Sequence, residues 1–156
     1  MEPDNWYWQK TWSSFRTGGI PVLMSWPGGQ AEVTIYAQGV PLTAAAFLER
    51  LPFEVPMVHV AWSGDMLMGA KPVPLGVEKE ENLTRLVRPG DIAYDPKYNE
   101  ITVTYGTAEA RLPSGPNTLT VFGSVGAGLD EFAQWGRARR FEGLGTIRFS
   151  RIDRKG

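Results

Sequence analysis

The 156-residue chain has no cysteine and a single histidine, His59. The first absence excludes disulfides and thiolate chemistry. The second leaves carboxylates and amides as the main supply of metal ligands, so no metal site is expected. Charge of one sign is missing too: 16 Lys and Arg against 17 Asp and Glu give no electrostatic reason to expect nucleic acid or an anionic membrane. No run approaches the roughly 20 apolar residues of a membrane helix. The opening MEPDNWYWQKTW has neither a basic n-region nor an uninterrupted apolar stretch. It is therefore not read as a secretory signal, and a cytoplasmic location is expected. Gly28-Gly29 and Gly126-x-Gly128 lack the lysine or the spacing of a phosphate-binding loop, and no cofactor is expected.

What the chain does have is 18 glycines and 12 prolines, punctuating a composition that is 42% hydrophobic and 21% charged. That is globular usage, with the short spacing of strands joined by turns. Residues 20–26 (IPVLMSW) and 31–38 (AEVTIYAQ) flank Pro27-Gly28-Gly29 as a hairpin. In the second run Val33, Ile35 and Ala37 alternate with Glu32, Thr34 and Tyr36, the period of a strand buried on one face. Residues 41–51 (PLTAAAFLERL) read as a helix with proline in its first turn and Pro52 beyond its end. Residues 55–68 read as one extended apolar stretch, 69–90 as a long excursion, and 91–95, 100–105 and 108–112 as a meander. Residues 117–125 read as a strand, 129–135 as a short helix and 144–152 as a final strand. Roughly eight strands and two helices, without repeat or linker, make a mainly β domain over 20–156. Residues 1–19 carry Trp6, Tyr7, Trp8 and Trp12 as an aromatic arm. Its readings are packing over the barrel, a lid over a pocket, or the contact of a homo-oligomer.

Two segments resemble the cyclophilin fold: LTAAAF at 42–47 followed by VHVAWSGDMLMG, and VFGSVGAGLD at 121–130. More closely, the chain is similar to an uncharacterised bacterial cyclophilin-like family, through HVAWSGD at 59–65, Glu81-Asn82, PGDI at 89–92 and Tyr105-Gly106. The resemblance covers about residues 22–152. It implies a closed eight-stranded cyclophilin-like barrel capped by two short helices, and it brings no reaction with it. The residues of prolyl isomerases are not retained: their arginine falls on Val60, phenylalanine on Asp65, glutamine on Met68 and histidine on Leu119, with the tryptophan near Ser114. Losing the arginine alone removes an electrostatic stabiliser worth a few kcal/mol, so prolyl isomerase activity is not expected.

The candidate catalytic residues are His59, Asp65 and Glu81. His59 has the one side chain that ordinarily titrates near neutrality. Its competing reading is a buried, hydrogen-bonded strand residue between Val58 and Val60, and the resemblance places a non-catalytic histidine there. Ser63 shares its face but lies about 13 Å away along an extended strand, which opposes a Ser–His–Asp triad. Asp65 reads either as a pocket carboxylate or as a cap on the turn made by Gly64. Glu81 and Asn82 could grip an amide, or lie solvated on a loop. Ser63, Asn82, Tyr94 and Tyr105 are candidate ligand-binding groups, the tyrosines having core packing as their alternative. Arg137, Arg139 and Arg140 read as a solvated cluster after the second helix. The expected function is a small-molecule-binding barrel, as an enzyme of catabolism acting on a cyclic amide or carboxylated metabolite. The alternative is a non-catalytic oligomeric scaffold or an accessory subunit of a metabolic enzyme.

Overall fold

A computed structural model of the chain describes residues 19–152. The aromatic arm, apart from Gly19, lies outside the described residues. Two strands begin the fold, β1 (Gly19–Trp26) and β2 (Gly29–Tyr36), followed by helix α1 (Pro41–Arg50). Next come β3 (Phe53–His59), β4 (Gly64–Gly69), the two-residue β5 (Leu83–Thr84), β6 (Asp91–Asp95) and β7 (Glu100–Ala108). The chain continues through the small pair β8 (Arg111–Leu112) and β9 (Gly115–Pro116) to β10 (Leu119–Val125), α2 (Leu129–Glu142) and β11 (Gly145–Arg151).

The alternation in β2 does what its period requires: Ala31, Val33 and Ile35 are buried while Gln30, Glu32 and Thr34 are exposed. Each such aliphatic side chain contributes on the order of 1.5–3 kcal/mol on burial. The main sheet runs β2-β1-β11-β3-β4-β7-β6-β10, and β10 pairs back onto β2, closing an eight-stranded antiparallel barrel. Closure leaves no long free edge within the ring. It uses the register Gly123↔Ile35, Ser124↔Thr34 and Val125↔Val33. At Gly123 a Cβ would lie 2.9 Å from the Thr34 carbonyl, so the seam needs glycine.

The helices plug opposite ends, as the two ends of β11 record. Arg151 donates through Nη2 to the carbonyl of Leu48 in α1, while Trp135 of α2 lies over Gly145. In α1, Phe47 is fully buried against Phe53, Phe122 and Phe149, with ring centroids 5.0–5.4 Å apart. In α2, Phe132 meets Trp26 edge-on at 5.2 Å. Aromatic plugs of this kind supply large apolar area and orientation together. Among the described residues no helix is long and apolar enough to cross a membrane.

Three readings of the sequence change. The stretch 55–68 is two strands, β3 and β4, folded at 60–63 with Val60 N–H donating to the Met66 carbonyl at 3.0 Å. Gly64 makes that fold possible with φ +102°, where a side chain would strike the Thr107 carbonyl. The 13 Å separation expected for His59 and Ser63 therefore does not apply. The strand expected at 108–112 is divided between the end of β7 and the β8–β9 pair. Helix α2 continues seven residues past Trp135 to Glu142. The sequence predicts its end at Trp135 with the arginines beyond, yet Arg, Ala and Glu are good helix formers and Gly143 supplies the stop.

Candidate functional site

The longer α2 matters because its last turns reach the far end of β3 and β7. Gly136 lets the helix approach: a Cβ there would be 2.9 Å from the Tyr105 ring. Arg140, one turn further along the same helix face, then extends over the ends of β3 and β4. Its Nε donates to His59 Nε2 at 3.0 Å, and its Nη2 reaches Asp65 Oδ1 at 3.2 Å and the Gly64 carbonyl at 3.4 Å. Arg137 covers the other part of Tyr105, with its guanidinium 5.6 Å from the ring centroid.

His59 projects from the end of β3 between three partners. Nδ1 is 2.8 Å from the Val60 carbonyl, an acceptor only, so that nitrogen carries the proton. Nε2 is then the lone-pair nitrogen, and the Tyr105 hydroxyl donates to it at 2.7 Å. Two donors, Tyr105 and Arg140, thus converge on one lone pair. Burial pushes the imidazole below its ordinary pKa of 6.5, the neighbouring Arg140 charge acts the same way, and the Val60 hydrogen bond and Asp65 oppose them. Neutral His59 is therefore the form near pH 7. Tyr105 is raised above 10 chiefly by burial, so its phenol keeps its proton.

Asp65 is held behind this arrangement. Its Oδ2 accepts from the Thr107 backbone N–H at 3.2 Å while Oδ1 takes Arg140. Gly106 makes room for it, because a Cβ at that position would collide with the carboxylate. Asp65 is thus both a turn partner and the group that orients Arg140. Beside the cluster opens a pocket of about 480 Å³, walled by His59, Val60, Gly64, Arg139, Arg140 and Leu144 among others. Its size is that of a site for a small organic molecule.

The structure brings together His59, Asp65 and Tyr105 and separates them from the other candidates. Ser63 is buried on the far side of the 60–63 fold, its Oγ donating to the Arg111 carbonyl at 3.4 Å. Glu81 accepts from Leu42 N–H, Thr43 N–H and Thr43 Oγ1 at 2.7–3.0 Å, covering the N-terminus of α1. Asn82 donates to the Gly39 carbonyl. Tyr94 is fully buried, and its hydroxyl ties the long excursion down through Val73, Leu75 and Asn99. The residue that sequence reasoning misplaced is Arg140, set aside as part of a solvated cluster. Helix propensity carried past Gly136 was the signal for it. Among the described residues no group of three or more His, Asp and Glu side chains converges as a metal site.

Among the solved structures similar to this chain, two show the fold alone. The structure of McbB in complex with tryptophan superposes with a TM-score of 0.70 at 19% identity, over 86% of this chain and 46% of McbB. The chain thus spans about half the length of that neighbour. The solution structure of the hypothetical protein AF2241 from Archaeoglobus fulgidus superposes with a TM-score of 0.58 at 19% identity, over 86% of this chain and 95% of that one. Comparison with curated protein sequences finds no match. Residues 23–151 match the family model described as a protein of unknown function, DUF3830, and the chain belongs to that family.

Proposed function

We propose that this protein binds a small carboxylated metabolite in the pocket at the α2 end of the barrel, with Arg140 as the anion anchor and His59 as a base. The observation that carries this reading is the convergence of Tyr105 and Arg140 on the neutral Nε2 of His59 at the pocket wall. An entering carboxylate would take Arg140 from the imidazole, because it carries a full negative charge and can accept two parallel N–H bonds from the guanidinium, whereas the neutral imidazole offers one lone pair. Nε2 would then keep Tyr105 as its one donor, and rotation of that hydroxyl would open the lone pair to a substrate proton. An anion holder next to a neutral histidine is the equipment for removing a proton from a carbon or nitrogen near the substrate carboxylate.

A carboxylate suits the site better than a cyclic amide. The carboxylate–amide pair that suggested amide binding, Glu81 and Asn82, is engaged at the start of α1 and with Gly39. McbB, a neighbour in fold, is described in complex with tryptophan, which is consistent with a barrel of this kind serving a small carboxylated ligand. We also assign the barrel to the cyclophilin-like class on its motifs and closure, without prolyl isomerase activity, because Val60 and Leu119 stand where the isomerase has charged and polar groups.

A thermal-shift screen with aliphatic and aromatic carboxylates tests the reading, since a ligand that binds only the folded state raises its apparent stability. Stabilisation of the wild type that is lost in Arg140→Gln is the expected result. Equal stabilisation of both proteins would contradict it. One observation favours a second reading, a non-catalytic oligomeric subunit: Phe141 is 86% exposed beside Leu144 at 55%. A mass in solution that falls from oligomer to monomer in Phe141→Ser would support that reading.

A further inference from the structure

A second concavity lies on the outer face of the barrel, on the other side of the 60–63 fold. It is a narrow cleft of about 30 Å³ between β7 and the segment carrying Ala110, Asn117 and Leu119. Glu100, Thr102 and Ser63 supply polar atoms together with Asn117 and Arg111, Val60 and Met66 an apolar wall, and Trp62 a partly exposed indole.

Two of those polar side chains lack partners. Thr102 is 1% exposed and its hydroxyl makes no hydrogen bond among the described residues. A buried hydroxyl in that condition has given up its bonds to water without replacing them, which is unfavourable until a partner arrives. The Glu100 carboxyl forms neither a hydrogen bond nor an ion pair among the described residues, although it lines the same cleft. The two residues are two apart on β7, so they share a face about 7 Å apart along the strand. One hydrogen-bond donor placed between them reaches both oxygens. Ser63 adds a third acceptor, because its own hydrogen is directed to the Arg111 carbonyl.

The surrounding charge selects the donor's sign. Asp95 of β6 stands directly opposite Glu100 in the ladder and is 1% exposed. Like charges opposite one another destabilise a strand pair. The nearby cation Lys97 is divided between Asp95 at 3.3 Å and Glu80 at 3.4 Å, and Asn117 donates to the other oxygen of Asp95. Arg111 lines the cleft but contacts Glu109. Burial and Asp95 push the Glu100 carboxyl up to about 7. A cation entering the cleft would return it to the charged form. Three oxygens with an apolar wall do not meet the six or more ligands of a hard metal ion. They do match the three N–H donors of a primary ammonium group, and a cleft this size holds one group about as large as a water molecule.

We propose that the cleft between β7 and the 110–119 segment is a binding site for an ammonium nitrogen bearing at least three N–H bonds, either the free ammonium ion or the head of a primary aliphatic amine, held by Glu100, Thr102 and Ser63. An alkyl chain, where present, leaves past Trp62.

The test follows the Glu100 carboxyl by carbon-13 NMR, with calorimetry, as the protein is titrated with ammonium, methylammonium and butylammonium chloride. Tetramethylammonium chloride at equal ionic strength is the control, being a cation without N–H donors. The expected result is that at least one N–H-bearing cation lowers the Glu100 titration midpoint and binds measurably. Its affinity should fall about tenfold or more in Glu100→Gln and by a smaller factor in the near-isosteric Thr102→Val. Binding of ammonium alone identifies a free-ion site, and binding of the alkylammonium ions identifies the head of a larger amine; both support the proposal. An equal effect from tetramethylammonium, or no movement of Glu100 with any of the cations, would overturn it.

Discussion

The Nε2 nitrogen of His59 and the hydroxyl of Tyr105 are 2.7 Å apart although 46 residues separate them in the chain. Because Nδ1–H is committed to the Val60 carbonyl, Tyr105 must be the donor in this pair. A donor on Nε2 favours the neutral imidazole. Tyr105→Phe should therefore raise the titration midpoint of His59. The chain has one histidine, so its ring-proton NMR signal is unambiguous. A midpoint unchanged by the substitution would mean that Tyr105 does not hold the lone pair.

The depressed His59 pKa also sets a direction for stability. In the unfolded chain the group protonates near 6.5, before it does in the folded protein. Stability contributed by the neutral histidine is present above that pH and is lost as pH falls through the window between the unfolded and folded values. Urea midpoints measured from pH 7.5 downward should decline below about 6.5, and His59→Gln should decline less steeply over the same range. Parallel curves for the two proteins would contradict the assignment.

Glu100 has the opposite slope. Its folded-state pKa of about 7 lies above the ordinary 4.5, so as pH rises the unfolded chain ionises first. Stability associated with the neutral carboxyl is full below about 4.5 and is lost as pH rises through 7. Glu100→Gln should accordingly be more stable than wild type at pH 8 and no better at pH 4.5. Thermal midpoints at the two pH values check this, and an advantage confined to the acidic side would refute it.

Glu81 and Asp65 should separate stability from binding. Removing Glu81 leaves the N–H groups of Leu42 and Thr43 without their acceptor, at a cost of about 1–3 kcal/mol. Glu81→Ala should lower the urea midpoint and leave ligand affinity at the α2 pocket nearly unchanged. Asp65→Ala should weaken affinity more than it lowers stability, because the Asp65–Arg140 pair is partly exposed. A loss of affinity in Glu81→Ala matching that in Asp65→Ala would place Glu81 in the binding site after all.

The barrel was legible in the sequence because its information is local and periodic. Alternation over 31–36, the Pro-Gly-Gly turn and the proline-bounded helix at 41 each follow from a few consecutive residues. The site was legible in part. His59, Asp65 and Tyr105 stood out by residue type and by the Tyr105-Gly106 pair, whose glycine proves to be the space for Asp65. What joins them is not local. Arg140 reaches His59 across 81 residues, and only because Gly136 lets α2 lie against Tyr105. Reading the helix as ending at Trp135 left that arginine in solvent. Glu81 and Tyr94 were ambiguous for the same reason, since their partners are 38 and 21 residues away.

The most direct test of the central claim uses the single histidine again, now with ligand. The His59 ring proton is followed by NMR through a pH titration of wild type and Arg140→Gln, each with and without a stabilising carboxylate. The free wild-type protein should titrate below 6.5. The bound anion should move the midpoint upward, because a nearby negative charge favours imidazolium, and the Arg140→Gln protein should show no such movement. A free midpoint at or above 6.5, or a carboxylate that stabilises the protein while leaving the His59 signal and its titration unchanged, would contradict the assignment of this pocket.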